Sequence, residues 1–161
     1  MLSVRAATAA DLDDIRVVHT GAIQATCASS YSPEQLSAWL AHLTPERYRQ
    51  SFDEGGQFVA LEDGVIVGFG KLHVASATVN AVYVAPSAQG RGIGCMLLQA
   101  LEATAVQAGI LRLTLNATLN AVSFYVAAGW HSDGLTEHLL PSGVPLPCVG
   151  MHKDVGTPPR T

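Results

Sequence analysis

Residues 82–98 read VYVAPSAQGRGIGCMLL: an apolar run, a proline, glycines at 90, 92 and 94, then a second apolar run. Pro86 cannot donate to a sheet ladder, so the first run is a strand that ends there. From Ile93 onward apolar residues fall at 93, 97, 98, 101, 105 and 108 before Gly109, which is an amphipathic helix with a glycine stop. Glycines between a strand and a helix let backbone approach an anion closely, and the helix start adds positive potential. A dinucleotide fingerprint would need a third glycine at 95 or 97, where Cys95 and Leu97 stand. A P-loop would need a lysine after the glycines, and none follows. What remains is Gln89-x-x-Gly92-x-Gly94. It is either a cradle for a diphosphate or a strand-to-helix turn that uses glycine for tight packing.

Working outward, Val4-Arg5-Ala6 is a short strand and Thr8 with Asp11 starts a helix over about 9–28. Ser32-Pro33 and Thr44-Pro45 start two more, the first presenting Leu36, Trp39, Leu40 and Leu43, the second ending near Phe52. In QFVALEDGVIVGFGKLHV, Asp63-Gly64 is a two-residue hairpin turn. ATVNAVYVA is the next strand, LRLTLNA a strand after the long helix, and LNAVSFYVAA a helix closed by Gly129. A final pair of strands flanks Pro141-Ser142-Gly143. This order is α+β rather than alternating. One domain over 1–155 is expected, with residues 156–161 a flexible tail.

At 161 residues, with 48% hydrophobic and 14% charged side chains, the chain has the composition of a packed globular domain. A net charge of -4 with two lysines excludes a basic nucleic-acid footprint. The apolar runs fall short of the roughly 20 residues a membrane span needs. The N-terminus lacks a signal-peptide core, so a cytoplasmic protein is expected. Cys27, Cys95 and Cys148 have no CxxC spacing and read as buried, inert thiols. The six histidines show no metal-ligand spacing on a helix, so no metal site is expected.

The motif Gln89-x-x-Gly92-x-Gly94 after YVAP is similar to the acetyl-CoA-binding motif of the GNAT superfamily of N-acetyltransferases. LNATLNAVSFYVAAGW at 115–130 resembles that family's next segment, an Asn/Ala-rich helix with a tyrosine before a Gly-aromatic pair. The resemblance covers about residues 3–153. It implies a GNAT fold: a mixed, mostly antiparallel sheet splayed between the fourth and fifth strands, with helices on both faces. It implies acetyl transfer from acetyl-CoA to a primary amine of a small molecule or peptide, by direct attack in a ternary complex. A non-catalytic acyl-CoA-binding module stays open, as does an acyltransferase using another acyl group or a non-amine acceptor.

Residue by residue, the resemblance implies that Val82, Tyr83 and Val84 pair with the pantetheine arm. Gln89, Gly90, Arg91, Gly92, Ile93 and Gly94 would cradle the diphosphate, with an Arg91 contact to phosphate, and Asn120 would lie near the arm. Tyr125 matches the tyrosine that acts as general acid, against a core role beside Phe124. Where relatives often carry a glutamate base, this chain has Asn80, which can hold a water but cannot take a proton. His73, on the preceding strand, is the nearest titratable substitute. The acceptor pocket is expected between the first helices and the last hairpin, with Tyr31, Trp39, His131 and His138 on offer. Trp39 also fits a core role. Domains of this family often pair through their C-terminal strands, so a homodimer is an expectation.

Overall fold

The computed structural model describes residues 1–157; the last four residues of the expected tail lie outside the described residues. The elements are β1 (Leu2–Ala6), α1 (Leu12–Thr26), α2 (Pro33–His42), α3 (Pro45–Asp53), β2 (Gln57–Glu62), β3 (Val65–His73), β4 (Thr78–Val84), α4 (Ile93–Gln107), β5 (Arg112–Thr118), α5 (Val122–Ala127), β6 (His131–Leu139) and β7 (Pro145–Asp154). Local chemistry sets their ends. Ser32 accepts from the Gln35 amide while Gln35 returns a bond to Ser32, and Thr44 accepts from the Arg47 amide. Asp63 and Gly64 both take positive φ, 50° and 83°, as a tight hairpin turn between β2 and β3 requires.

The strands form one seven-stranded sheet in the order β1-β2-β3-β4-β5-β7-β6. Every neighbouring pair is antiparallel except β4 and β5. Those two meet at one register position, Thr78 with Thr114, and then diverge. The sheet is thus split along the side of β4 that carries Asn80 to Val84, and the expected splay is present.

One layer of core lies between the sheet and α4 with α5, built on Leu98, Leu101, Leu113, Leu115 and Trp130. The opposite face packs Ile15 and Val18 of α1 and Tyr48 of α3 on Val59 and Phe69. Helices therefore cover both faces. Among the described residues, no helix is long and apolar enough to cross a membrane.

The register between β3 and β4 slips once. Lys71 pairs with Ala81 but Leu72 pairs with Val79, which leaves Asn80 as an extra residue, a β-bulge. Its effect is visible in the packing. Val79 joins the α4 side with Leu98 and Leu101, whereas Ala81 and Tyr83 lie against the α1 side with Phe69 and Tyr48.

Candidate active site

Two cavities open along the splay. The first, of about 430 Å³, is walled by α1, α2 and α3 and the β6–β7 hairpin, with β2 to β5 as its floor. The second, of about 350 Å³, runs along β4 to Gln89 and is closed by Asn120, Phe124 and Tyr125. Val79, Asn80, Ala81, Tyr83, Asn116 and Thr118 line both. The two spaces meet where β4 leaves β5, and the bulged Asn80 stands at the junction.

The glycine loop begins at the far end of the second cavity. Gly90 and Gly92 take φ of 74° and 79°, and a Cβ on either would meet nothing within 4 Å. Gly92 is the left-handed N-cap of α4, and no side chain caps that end. The first intrahelical bond runs from the Met96 amide to the Gly92 carbonyl, which leaves the amides of residues 93–95 without helical acceptors. These donors and the helix dipole make an anion-receptive surface. Gly94 differs: its φ is ordinary, and a Cβ there would come 3.2 Å from the Phe124 ring. It lets α4 close on α5.

Side chains in the loop are engaged elsewhere. Arg91, expected on a phosphate, forms a two-pronged ion pair with Glu62 at the end of β2, at 2.5 and 2.6 Å. Its guanidinium is held by a carboxylate and does not stand free in the loop. The Gln89 amide donates to the Val84 carbonyl at 2.8 Å and ties the loop to the end of β4. Ile93 is buried in the core, so its amide is what it offers the loop. Val82 and Val84 line the second cavity, and Asn120 lies there beside the Cys27 thiol.

Tyr125 is 7% exposed, lines the second cavity and packs edge-on against Phe124 and Trp130. Burial alone holds its phenol well above the ordinary tyrosine range. It is a protonated donor at neutral pH.

His73 is displaced from the role given it by sequence. Its ring bonds Ser76 at 2.6 Å and stands 4.0 Å from Glu54, at the tip of β3 and outside both cavities. His131 also lies outside them, against His152, whereas His138 lines the first. Tyr31 and Trp39 line the first cavity too, but the Tyr31 hydroxyl donates to the Pro147 carbonyl and accepts from the Leu119 amide. It clamps β7 to the start of the Asn120 turn, and Trp39 packs on its ring. Cys95 is exposed rather than buried, while Cys27 and Cys148 are buried.

Sequence reasoning missed the polar wall of the first cavity. His19 bonds Tyr48 through Nδ1 at 2.8 Å and lies against the Tyr83 ring at 4.4 Å between centroids. Burial lowers its pKa to about 3, so the imidazole is neutral. The same burial pushes the Tyr48 phenol up to about 12. Lys71 is buried, donating to the Ser51 carbonyl and hydroxyl and to Glu54 at 2.7 Å. Gln57 is buried beside it, bonds Ser51, and leaves Oε1 without a partner. The signals were a histidine on the apolar stripe of α1 and a lysine inside an apolar strand.

Residues 27–141 match the family model described as an acetyltransferase (GNAT) domain. The chain belongs to the GNAT acetyltransferases. YafP of Escherichia coli K12, described as an uncharacterized N-acetyltransferase, is 25% identical over 122 residues, 76% of each chain. The crystal structure of a GCN5-related N-acetyltransferase from Rhodopseudomonas palustris shares 27% identity over 94% of each chain, with a TM-score of 0.89. The PaiA N-acetyltransferase from Thermoplasma acidophilum, in complex with coenzyme A, shares the fold at 21% identity and a TM-score of 0.73, over 96% of this chain and 99% of that one.

Proposed function

We propose that this GNAT acetyltransferase moves an acetyl group from acetyl-CoA to a primary amine, with both substrates bound at once. The observation that carries this reading is the meeting of two cavities at the splay between β4 and β5. Coenzyme A in the PaiA complex supports the cofactor, because the fold is shared.

The residues present fit acetyl-CoA. Amides of residues 93–95 and the open space over Gly90 and Gly92 suit its diphosphate. The β4 edge from Asn80 to Val84 has no strand partner on the β5 side, so its amides and carbonyls suit the amide-containing arm. When bound, acetyl-CoA supplies an activated acyl thioester.

The chain's own groups divide the proton work. Tyr125 holds its phenolic proton in the second cavity and donates it to negative charge that develops there. A lysine-like amine is protonated near pH 7 and must lose a proton before attack. Asn80, Asn116 and Thr118 hold a water at the junction of the cavities and pass that proton outward. No carboxylate lines either cavity among the described residues, and this route hands the proton to water rather than to a carboxylate.

Calorimetry with acetyl-CoA, followed by release of free CoA thiol on adding amines, tests the proposal. Binding at tens of micromolar or tighter and amine-dependent thiol release are expected. Binding without release to any amine would leave an acyl-CoA-binding module.

A further inference from the structure

The charged side chains that line the first cavity are of one sign. Its lining carries Arg47 and Lys71, with His19 and His138, and no Asp or Glu among the described residues. Lys71 is neutralised by Glu54, which does not itself line the cavity. Arg47, on the exposed side of α3, has no side-chain partner among the described residues. Its field and that of His138 reach His42, whose pKa they help to lower. A guanidinium with no hydrogen-bonded carboxylate, though within the field of Glu54, therefore lines the cavity. The wall between the mouth and the junction is apolar and aromatic: Trp39, Leu43, Tyr48, Phe69 and Leu146. At the inner end stand the neutral amides Asn80 and Asn116.

A polyamine or another multiply cationic acceptor finds no counter-charge in such a cavity, and meets repulsion at Arg47. A molecule with an anion at one end, an apolar body and an amine at the other finds a complement for each part. A guanidinium binds a carboxylate through two parallel N–H donors, which fixes orientation as well as charge.

Resting on the acetyl-transfer reading, we propose that the acceptor is a zwitterion whose carboxylate and amine stand at opposite ends of an apolar body, as in an ω-amino acid, its carboxylate held by Arg47 at the mouth and its amine reaching Asn80. Arg47 is then a specificity-determining residue. The reaction joins the amine nitrogen to the acetyl carbon, breaks the thioester carbon–sulfur bond, and leaves an N-acetylated acid and the CoA thiol. The proton lost by nitrogen goes to solvent, and that gained by sulfur comes from Tyr125.

The test uses the full chain with paired acceptors: ω-amino acids of graded length, their decarboxylated amines (pentylamine for 6-aminohexanoate) and spermidine. Thiol release gives kcat and KM, and calorimetry in the presence of CoA gives binding independently of turnover. At least one zwitterion is expected to exceed its own decarboxylated partner by tenfold or more in kcat/KM. Arg47→Gln should collapse that ratio by at least tenfold through KM, with kcat little changed, and Arg47→Lys should restore part of it. Raising salt should weaken zwitterion binding to the wild type and not to Arg47→Gln.

Preference for a decarboxylated amine or spermidine overturns the proposal while acetyl transfer stands. So does an Arg47→Gln loss that falls equally on both members of a pair. Zwitterion binding that depends on Arg47 without thiol release would retain the anion site and overturn acetyl transfer. Failure of every amino acid to bind or react overturns the zwitterion assignment.

Discussion

Replacing Gly92 by valine separates binding from folding. At φ of 79° a residue with a Cβ costs about 1–2 kcal/mol, and a β-branched one belongs at the top of that range. Nothing lies within 4 Å of the added Cβ, so no clash adds to the strain. A loss near 2 kcal/mol lowers Tm by roughly 4–8 °C in a chain of this size. The new side chain enters the open space above the amides of residues 93–95. Each hydrogen bond to a charged group is worth about 1.5–3 kcal/mol, so losing one or two weakens CoA by about 10-fold or more. Gly94→Ala is the control: its φ is ordinary, but its Cβ meets the Phe124 ring at 3.2 Å. There the penalty is one of overpacking, about 1–3 kcal/mol, without strain in the loop. Thermal denaturation and calorimetry with CoA on both variants decide the matter. A folded Gly92→Val protein that binds CoA with unchanged Kd would refute the cradle, and one that does not fold would refute the strain argument.

Tyr125→Phe should lower kcat by about 10- to 1000-fold while Tm stays within a degree or two, because among the described residues the hydroxyl, which meets the cavity, makes no hydrogen bond to lose; unchanged kcat removes the acid role. Arg91→Gln should change CoA affinity by less than threefold and leave Tm within a degree or two, since the pair with Glu62 lies at the surface and is screened by solvent. A tenfold loss measured by calorimetry would show that the guanidinium leaves Glu62 for the ligand. His19 carries a folded-state pKa near 3 against 6.5 unfolded, so the unfolded chain binds the extra proton between those values. Stability should fall as pH drops from 6.5 towards 3, by on the order of a few kcal/mol, and His19→Gln should flatten that part of the profile. Urea midpoints at pH 7, 5 and 4 that run parallel in both proteins would contradict this.

The fold was legible where local chemistry speaks for itself. Ser32-Pro33, Thr44-Pro45 and Asp63-Gly64 each act through their own backbone, and each begins or turns an element where expected. The loop at 89–94 and Tyr125 stood out through their resemblance to the family's motifs, and Gln89 and Tyr125 both line the second cavity. Pairings between distant residues were not. Nothing adjacent to Arg91 in sequence announces Glu62, and nothing near Lys71 announces Ser51 and Glu54. His73 shares with Lys71 the side of β3 that meets Glu54. It lies two residues further on, past the cavity, a distance that only the end of the strand defines. Nor could alternation in TVNAVYV reveal a bulge, because valines precede and follow Asn80 with either face available.

That bulge gives β4 a change of parity. In an unbroken strand residues 79, 81 and 83 would share a face; here Val79 belongs with Leu98, and Ala81 and Tyr83 belong with Phe69. One surplus residue therefore decides which face of the sheet receives the aromatic ring and which receives the valines at 82 and 84. Removing it would exchange those faces while leaving every side chain other than Asn80 in the chain. The wall that two unlike molecules must share is encoded less by what its residues are than by whether their count is odd or even.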